Sequence, residues 1–335
     1  MFTLSISLGN RRDVSDNVFP EEFSKYSAPR GRFTNLIRTY KNRLIGYGLM
    51  FPAVAVFVLF FYLPAIYLLY ISFFHWGILS SSTHFVGLKN FRTLFNQPLF
   101  WHSLITSMYY TIVMIPATVL LALAIALVLR TGMDKKRGGI FRGAVFLPHV
   151  TPVVATSIVW VWIFNPRFGL ANYIMTSLHL PALGWLESQT WALPAVMIDS
   201  LWHSLGLYVL IFLAGLANIP SELIEVARLD GAKRHRIFYR IMWPLLSPTT
   251  FFVVVLATVN SWQAFSQIYT MTGGPHGGAG GPAFSTTTDS LLVYQTAFTY
   301  LHFSLASAMS LILFLIILTL TLIQKWISDK VVFYR

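Results

Sequence analysis

Six stretches of this sequence are each long and apolar enough to cross a bilayer, and no other feature constrains the fold as strongly. A hydrocarbon core needs about 20 mostly apolar residues of α-helix to span it. The six stretches cover residues 44–74, 104–129, 141–164, 192–217, 245–265 and 303–323. Each is continuously apolar, whereas the strands of a membrane barrel alternate between apolar and polar positions. Lipid offers no partner to backbone N–H or C=O groups, so each span must satisfy its own, and a helix does so. The expected class is therefore all-α: a polytopic membrane protein with about six transmembrane helices.

Composition supports this. Of the 335 residues, 56% are hydrophobic and only 11% charged, against about 25% charged in soluble domains. Prolines at 52, 64, 116, 148, 152 and 194 fall in or beside the spans, where they predict kinks, broken ends or re-entrant pieces. The polar residues 1–43 contain no apolar run and no cleavable signal, and are expected to form an N-terminal arm. Residues 44–335 are expected to form one transmembrane domain.

The net charge of +12 would suit nucleic acid or anionic lipid, but its distribution points to topology and to no nucleic-acid partner. With six spans the termini share a side. The arm, the 130–142 connection, residues 218–244 and the tail after Ile323 hold 21 of the 24 lysines and arginines; the opposite loops hold Lys89, Arg92 and Arg167. By the positive-inside rule both termini are cytoplasmic, and loops 75–102, 165–191 and 266–302 face outward. The outward stretch TGGPHGGAGGP reads as a flexible connector or a surface for an external partner.

The charged block 218–248 is the one sizeable cytoplasmic loop between spans. Ser221 can cap a helix carrying an apolar stripe of Leu223, Val226 and Ala227. Asp230-Gly231 then breaks it, because glycine accepts backbone angles other residues avoid. A second basic stretch, 233–242, places Ile237, Phe238 and Ile241 at helical spacing, and Pro244 marks entry to the next span. The expected helix-turn-helix is either an amphipathic pair held on anionic headgroups or a docking element for a cytoplasmic partner.

Glu225, Ala227, Asp230, Gly231, Ala232, Phe238, Ile241, Pro244 and Pro248 resemble the EAA loop of binding-protein-dependent ABC importer permeases, with nine residues between the glycine and the isoleucine. Val226 and Trp243 depart from the family's usual alanine and leucine, both staying apolar. FVGLKNFRTLFNQPLFWHSL, FRGAVFLPHVTPVVATSIVWVWIFNPRFGLANYIM and MTGGP with STTTDSLLVYQTAF resemble the carbohydrate-type branch, the maltose and glycerol-phosphate importer permeases. WIFNPRFGLAN is similar to the first of the two permease subunits. The resemblance covers residues 44–335 and implies the type I ABC importer permease fold. It also implies a second permease subunit, as a heterodimer, two ATPase subunits that use ATP and Mg, and an extracytoplasmic solute-binding protein. The prokaryotic inner membrane would be the location. Glu225, Ala227, Asp230, Gly231, Ala232, Ile241 and Pro244 would couple the chain to the ATPase.

Polar groups inside spans are costly and are functional candidates by default. Asp199, followed by Trp202 and His203, either faces a water-filled path or pairs with a neighbouring helix. Asn260, Trp262 and Gln263 suit a sugar, whose hydroxyls need donors and acceptors and whose CH face packs on indole; the other reading is hydrogen bonding between helices. His149 reads as a structural or gating residue, and Trp160 and Trp162 as interface anchors.

Catalysis is not indicated. There is no cysteine, no clustered His, Asp or Glu for an embedded enzyme, and no ligand spacing for a metal. The chain lacks a GxxxxGK[ST] phosphate loop, so no bound cofactor is expected and energy must come from another chain or an ion gradient. The alternative to the importer is an ion-coupled secondary carrier. Such carriers show inverted repeats and midplane charges. Here no repeat is visible, and a carrier leaves the docking loop without a role.

Overall fold

The computed structural model describes residues 32–76, 83–131, 135–273 and 278–332. Among these, five helices are long and apolar enough to span a membrane, or six if one bent pair is a single span. The chain divides into two compact units at Pro64–Ala65. In the first, α1 (Arg32–Phe57) continues through a π turn (Val58–Tyr62). Its start at Arg32 places the expected boundary between residues 43 and 44 inside a helix; residues 1–31 lie outside the described residues. The first span, Ile45–Ser72, has only 6% of its most apolar window buried, leaving a nearly complete apolar cylinder.

The second unit contains the rest of α2 (Leu63–Ser72), a two-stranded ribbon of β1 (Phe74–His75) and β2 (His84–Phe85), α3 (Lys89–Phe95) and α4 (Pro98–Thr131). Next come α5 (Lys135–Val150), α6 (Val153–Ile163), α7 (Leu170–Ser177) and α8 (Ala192–Ala217). The chain continues as α9 (Ser221–Leu229), α10 (Arg234–Ile237), a π turn (Phe238–Met242), α11 (Trp243–Trp262) and α12 (Ser266–Thr272). It ends with α13 (Asp289–Tyr294), a π turn (Gln295–Thr299) and α14 (Phe303–Val331).

α8 is central, packing on α4, α5 and α11. α4 is mostly apolar, and its Ser103, Thr106, Ser107, Thr111 and Thr118 are buried along with its apolar residues, so hydropathy does not select its inner face. Small residues at helical spacing do: Ala122 and Ala126 are fully buried beside Val119, Leu123 and Leu129, against Tyr208, Phe212 and Leu216 of α8 and Leu246 and Val253 of α11. Small side chains let helix backbones approach in a membrane, where dispersion contacts replace the hydrophobic drive. Gly206 shows the limit: a Cβ there would lie 2.4 Å from the Val145 carbonyl oxygen.

The expected third span is not one helix. α5 and α6 meet at a 95° bend at Thr151–Pro152. Pro152 has no N–H to continue the ladder and caps α6 with extended backbone (ψ 123°). The Thr151 hydroxyl donates to the Pro148 carbonyl across 2.6 Å, satisfying one group freed by the break.

The fifth span also differs from expectation. Residues 233–242 form no separate surface helix; the span begins at Arg234 and runs to Trp262. Pro244 directly follows the π turn, where the Trp243 N–H reaches back to the Phe238 carbonyl. The stretches between the long apolar helices hold the short helices α3, α7, α12 and α13. α7 is fixed by Asn172, whose Nδ2 donates to the Pro166 and Leu183 carbonyls and whose Oδ1 accepts from the Leu183 N–H and Trp185 Nε1. The described end of the glycine-rich stretch is packed: Ala279 and Gly280 are buried, and the Gly280 carbonyl accepts from the Thr286 N–H.

Candidate functional site

Two features stand out: a polar cavity between the spans and the charged loop at one end of the bundle.

The cavity has a volume of about 240 Å³. Tyr110 of α4, His149 of α5, Ser204 and Tyr208 of α8, and Asn260 and Gln263 at the end of α11 line it. Hydroxyl, amide and imidazole groups supply its polarity, and none of its lining residues is Asp, Glu, Lys or Arg. Asn260 Nδ2 donates to Tyr208 Oη at 3.0 Å, joining α11 to α8. His149 and His203, on separate spans, meet with ring centres 5.7 Å apart. His203 Nε2 lies 3.2 Å from the Thr151 carbonyl at the α5–α6 break. His149 Nδ1 is buried without a partner among the described residues.

Of the four residues expected along the path, Asn260 and Gln263 line this cavity. Asp199 does not. It is fully buried and accepts from Ser157 Oγ of α6 at 2.7 Å, which ties the far side of α8 to the second half of the bent pair. Trp262 is also buried outside the lining, and its carbonyl accepts from Ser290 Oγ. Sequence reasoning missed Ser200, Ser204 and Tyr208. Their four-residue spacing in α8 places them on one helical face, which was the available signal.

At the charged loop, α9 ends in a Schellman arrangement. The Ala232 N–H donates to the Ala227 carbonyl (2.9 Å) and the Gly231 N–H to the Arg228 carbonyl (3.0 Å). Gly231 takes φ +73°, and a Cβ placed there would meet nothing within 4 Å. Backbone angle, not space, therefore demands glycine there. Asp230 is the helix C-cap, and its N–H donates to the Val226 carbonyl.

The loop sits on the bundle through Ile224, Phe238 and Met242, which pack against the α4–α8–α11 core. Of the expected stripe, Leu223 and Val226 are exposed, as is Leu229 by 87%, while Ala227 is half-buried. The seat is thus made by Ile224, and an apolar strip faces away. Glu225 joins Arg130, Arg228 and Arg234 around a second cavity of about 330 Å³. Ile241 and Pro244 are half-buried at the start of the fifth span.

Among the described residues no group of three or more His, Cys, Asp or Glu is placed to hold a metal.

Residues 118–333 match the family described as binding-protein-dependent transport system inner membrane component. The chain is 33% identical to the sn-glycerol-3-phosphate transport system permease protein UgpA of Brucella abortus, covering 88% of this chain and 98% of that one. It is 32% identical to the probable ABC transporter permease protein YurN of Bacillus subtilis, over 85% and 96%. Identity to the trehalose/maltose transport system permease protein MalF of Thermococcus litoralis is 30%, over 85% and 93%. The fold matches a chain in the crystal structure of a bacterial ABC transporter involved in alginate import. The TM-score is 0.76 at 21% identity, covering 89% of this chain and 99% of that one.

Proposed function

We propose, from the premise that this chain belongs to the family of binding-protein-dependent transport system inner membrane components, that it passes a sugar or related small polar solute inward. It is the permease subunit of an ABC importer, not an enzyme in its own right, and the secondary-carrier reading is not favoured. In this reading ATP and Mg are used by two separate ATPase subunits, a second permease completes the path, and a solute-binding protein delivers cargo from outside. The lysine and arginine bias supports a cytoplasmic position for both termini in a prokaryotic cell. Residues 44–335 act as the transmembrane domain.

The observation that carries this reading is the charged loop: a rigidly terminated helix, seated on the central bundle, with Leu223, Val226 and Leu229 exposed. ATP can shift an inward–outward equilibrium only through contacts that differ between the two states. A helix gripped by the ATPase and anchored to α8 and α11 supplies such contacts. Ala227, Asp230, Gly231 and Ala232 shape the turn that presents it, Glu225 faces the arginine-lined side, and Ile241 and Pro244 carry the motion into α11.

For the cargo, Asn260 and Gln263 with the hydroxyls of α8 offer donors and acceptors without a fixed charge, which suits an uncharged polyol. Asp199 and Trp262 hold the surrounding helices. The test is uptake into vesicles containing this chain, its second permease and ATPase, with the binding protein outside. Neutral oligosaccharides should enter faster than glycerol 3-phosphate, and Gln263→Ala should slow uptake while ATPase assembly is retained. Preferred uptake of the phosphate would overturn the cargo assignment, and uptake driven by an ion gradient without ATP would overturn the importer.

A further inference from the structure

The outward ribbon carries a feature that transport does not use. β1 and β2 pair antiparallel with His75 opposite His84. Register partners project from the same face of a ribbon, with Cβ atoms about 4.5–5.5 Å apart. Both residues are exposed, and their ring centres lie 5.1 Å apart at an interplanar angle of 35°.

That spacing has a chemical meaning. With Zn–N bonds of about 2.0–2.1 Å and a ring centre about 1.2 Å behind each nitrogen, a tetrahedral ion sets two imidazole centres about 5.2 Å apart. Neither ring makes a hydrogen bond to another described residue, so the nitrogens are free to ligate. The nine-residue separation matches no sequence motif for a metal; only strand pairing brings the two together.

We propose that His75 and His84 form a two-imidazole site for a borderline transition-metal ion, of the Zn²⁺ or Cu²⁺ class, with the remaining positions open to water. Imidazole suits these ions, and Cu²⁺ binds most tightly of the first-row series. Strands of two residues are marginal alone, and an ion bridging them closes the ribbon. The effect reaches the last span, because the Trp76 N–H donates to Ser304 Oγ at 2.7 Å and Ser304 Oγ donates to the Trp76 carbonyl at 2.9 Å. Metal binding would thereby stiffen the junction between the ribbon and the start of α14.

The experiment titrates the tag-free full chain in lipid nanodiscs with Zn²⁺ alone, and with Cu²⁺ alone for electron paramagnetic resonance. The wild type should bind one equivalent, with hyperfine structure from two nitrogens. His75→Ala and His84→Ala should each weaken the apparent Kd by at least about tenfold, a loss that even outer-shell substitutions at metal sites produce. His179→Asn, which removes an exposed imidazole after α7, should change nothing. Wild-type affinity and stoichiometry in both ribbon variants would overturn the proposal, as would an equal loss in His179→Asn.

Discussion

His203 Nε2 donates to the Thr151 carbonyl across 3.2 Å, from the fourth span to the break between α5 and α6. A carbonyl oxygen can only accept, so this nitrogen carries the proton. The bond covers a backbone group released by Pro152 and fixes the bent helix beside the polar cavity. Broken helices are tolerated at membrane depth where protein or water satisfies the freed groups.

His203→Phe keeps ring volume but removes the donor. It should cost about 0.5–1.5 kcal/mol, the net worth of a typical hydrogen bond, because the contact is only part-buried, and it should slow solute uptake as well. His203→Gln, which can still donate, should recover part of both losses. Thermal unfolding in nanodiscs together with uptake rates checks this; unchanged stability in the phenylalanine variant would remove the bond from the account.

Close helix approach gives a second prediction. A Cβ at Gly206 meets the Val145 carbonyl oxygen at 2.4 Å and Phe146 Cα at 2.8 Å, both backbone, whereas at Gly215 it meets Thr249 Oγ1 at 2.5 Å. Gly206→Ala must move α5 and should cost about 1–3 kcal/mol. Gly215→Ala should be largely rescued by Thr249→Ala, with a coupling of about 0.5–3 kcal/mol in a double-mutant cycle. Additive effects would show that α8 and α11 do not touch there.

Asp289 opens α13, outside the spans, and is fully buried with neither carboxylate oxygen hydrogen-bonded among the described residues. Burial raises its pKa from 3.8 to about 7, and Ser103, whose hydroxyl donates instead to the Phe100 carbonyl, offsets only part of this. The folded chain therefore holds this proton more tightly than the unfolded chain. Below pH 3.8 both states are protonated. As pH rises toward 7 only the unfolded state ionises, so stability falls across that window and then levels. The full difference is about 4 kcal/mol at 1.36 kcal/mol per unit. Asp289→Asn should abolish that slope in denaturation midpoints measured from about pH 4 to 8; a variant with the wild-type slope would place the titration elsewhere.

Legibility in the sequence followed the physics. Hydropathy located the five unbroken apolar helices among the described residues, the fourth expected span to the residue at both ends, because lipid demands continuous apolar length. The Asp230-Gly231 turn was readable because a positive φ has one favoured residue. The 95° bend was only half readable: Pro148 and Pro152 announced a distortion but not its angle, and the contact to the break from His203, 52 residues from Thr151, is not visible in the sequence. The inward face of α4 was hidden, since it buries hydroxyls such as Ser107 and Thr111 beside apolar residues, and Ala122 and Ala126 become informative only once α8 lies beside them. Asp199 stood out in the sequence as the acidic residue inside a span, yet whether it met water or Ser157 depended on packing. The His75–His84 pair was illegible because strand register is not written in either residue.

The most direct test of the coupling account is solute-stimulated ATP hydrolysis by the reconstituted complex carrying substitutions at Gly231. Asparagine tolerates the left-handed region and should preserve stimulation. Alanine has room but pays about 1–2 kcal/mol for φ +73°, and should reduce it. Proline can neither adopt that angle nor donate to the Arg228 carbonyl, and should abolish stimulation while the chain remains folded in the membrane. Wild-type stimulation in Gly231→Pro would contradict the account and leave the loop as a surface-lying amphipathic segment.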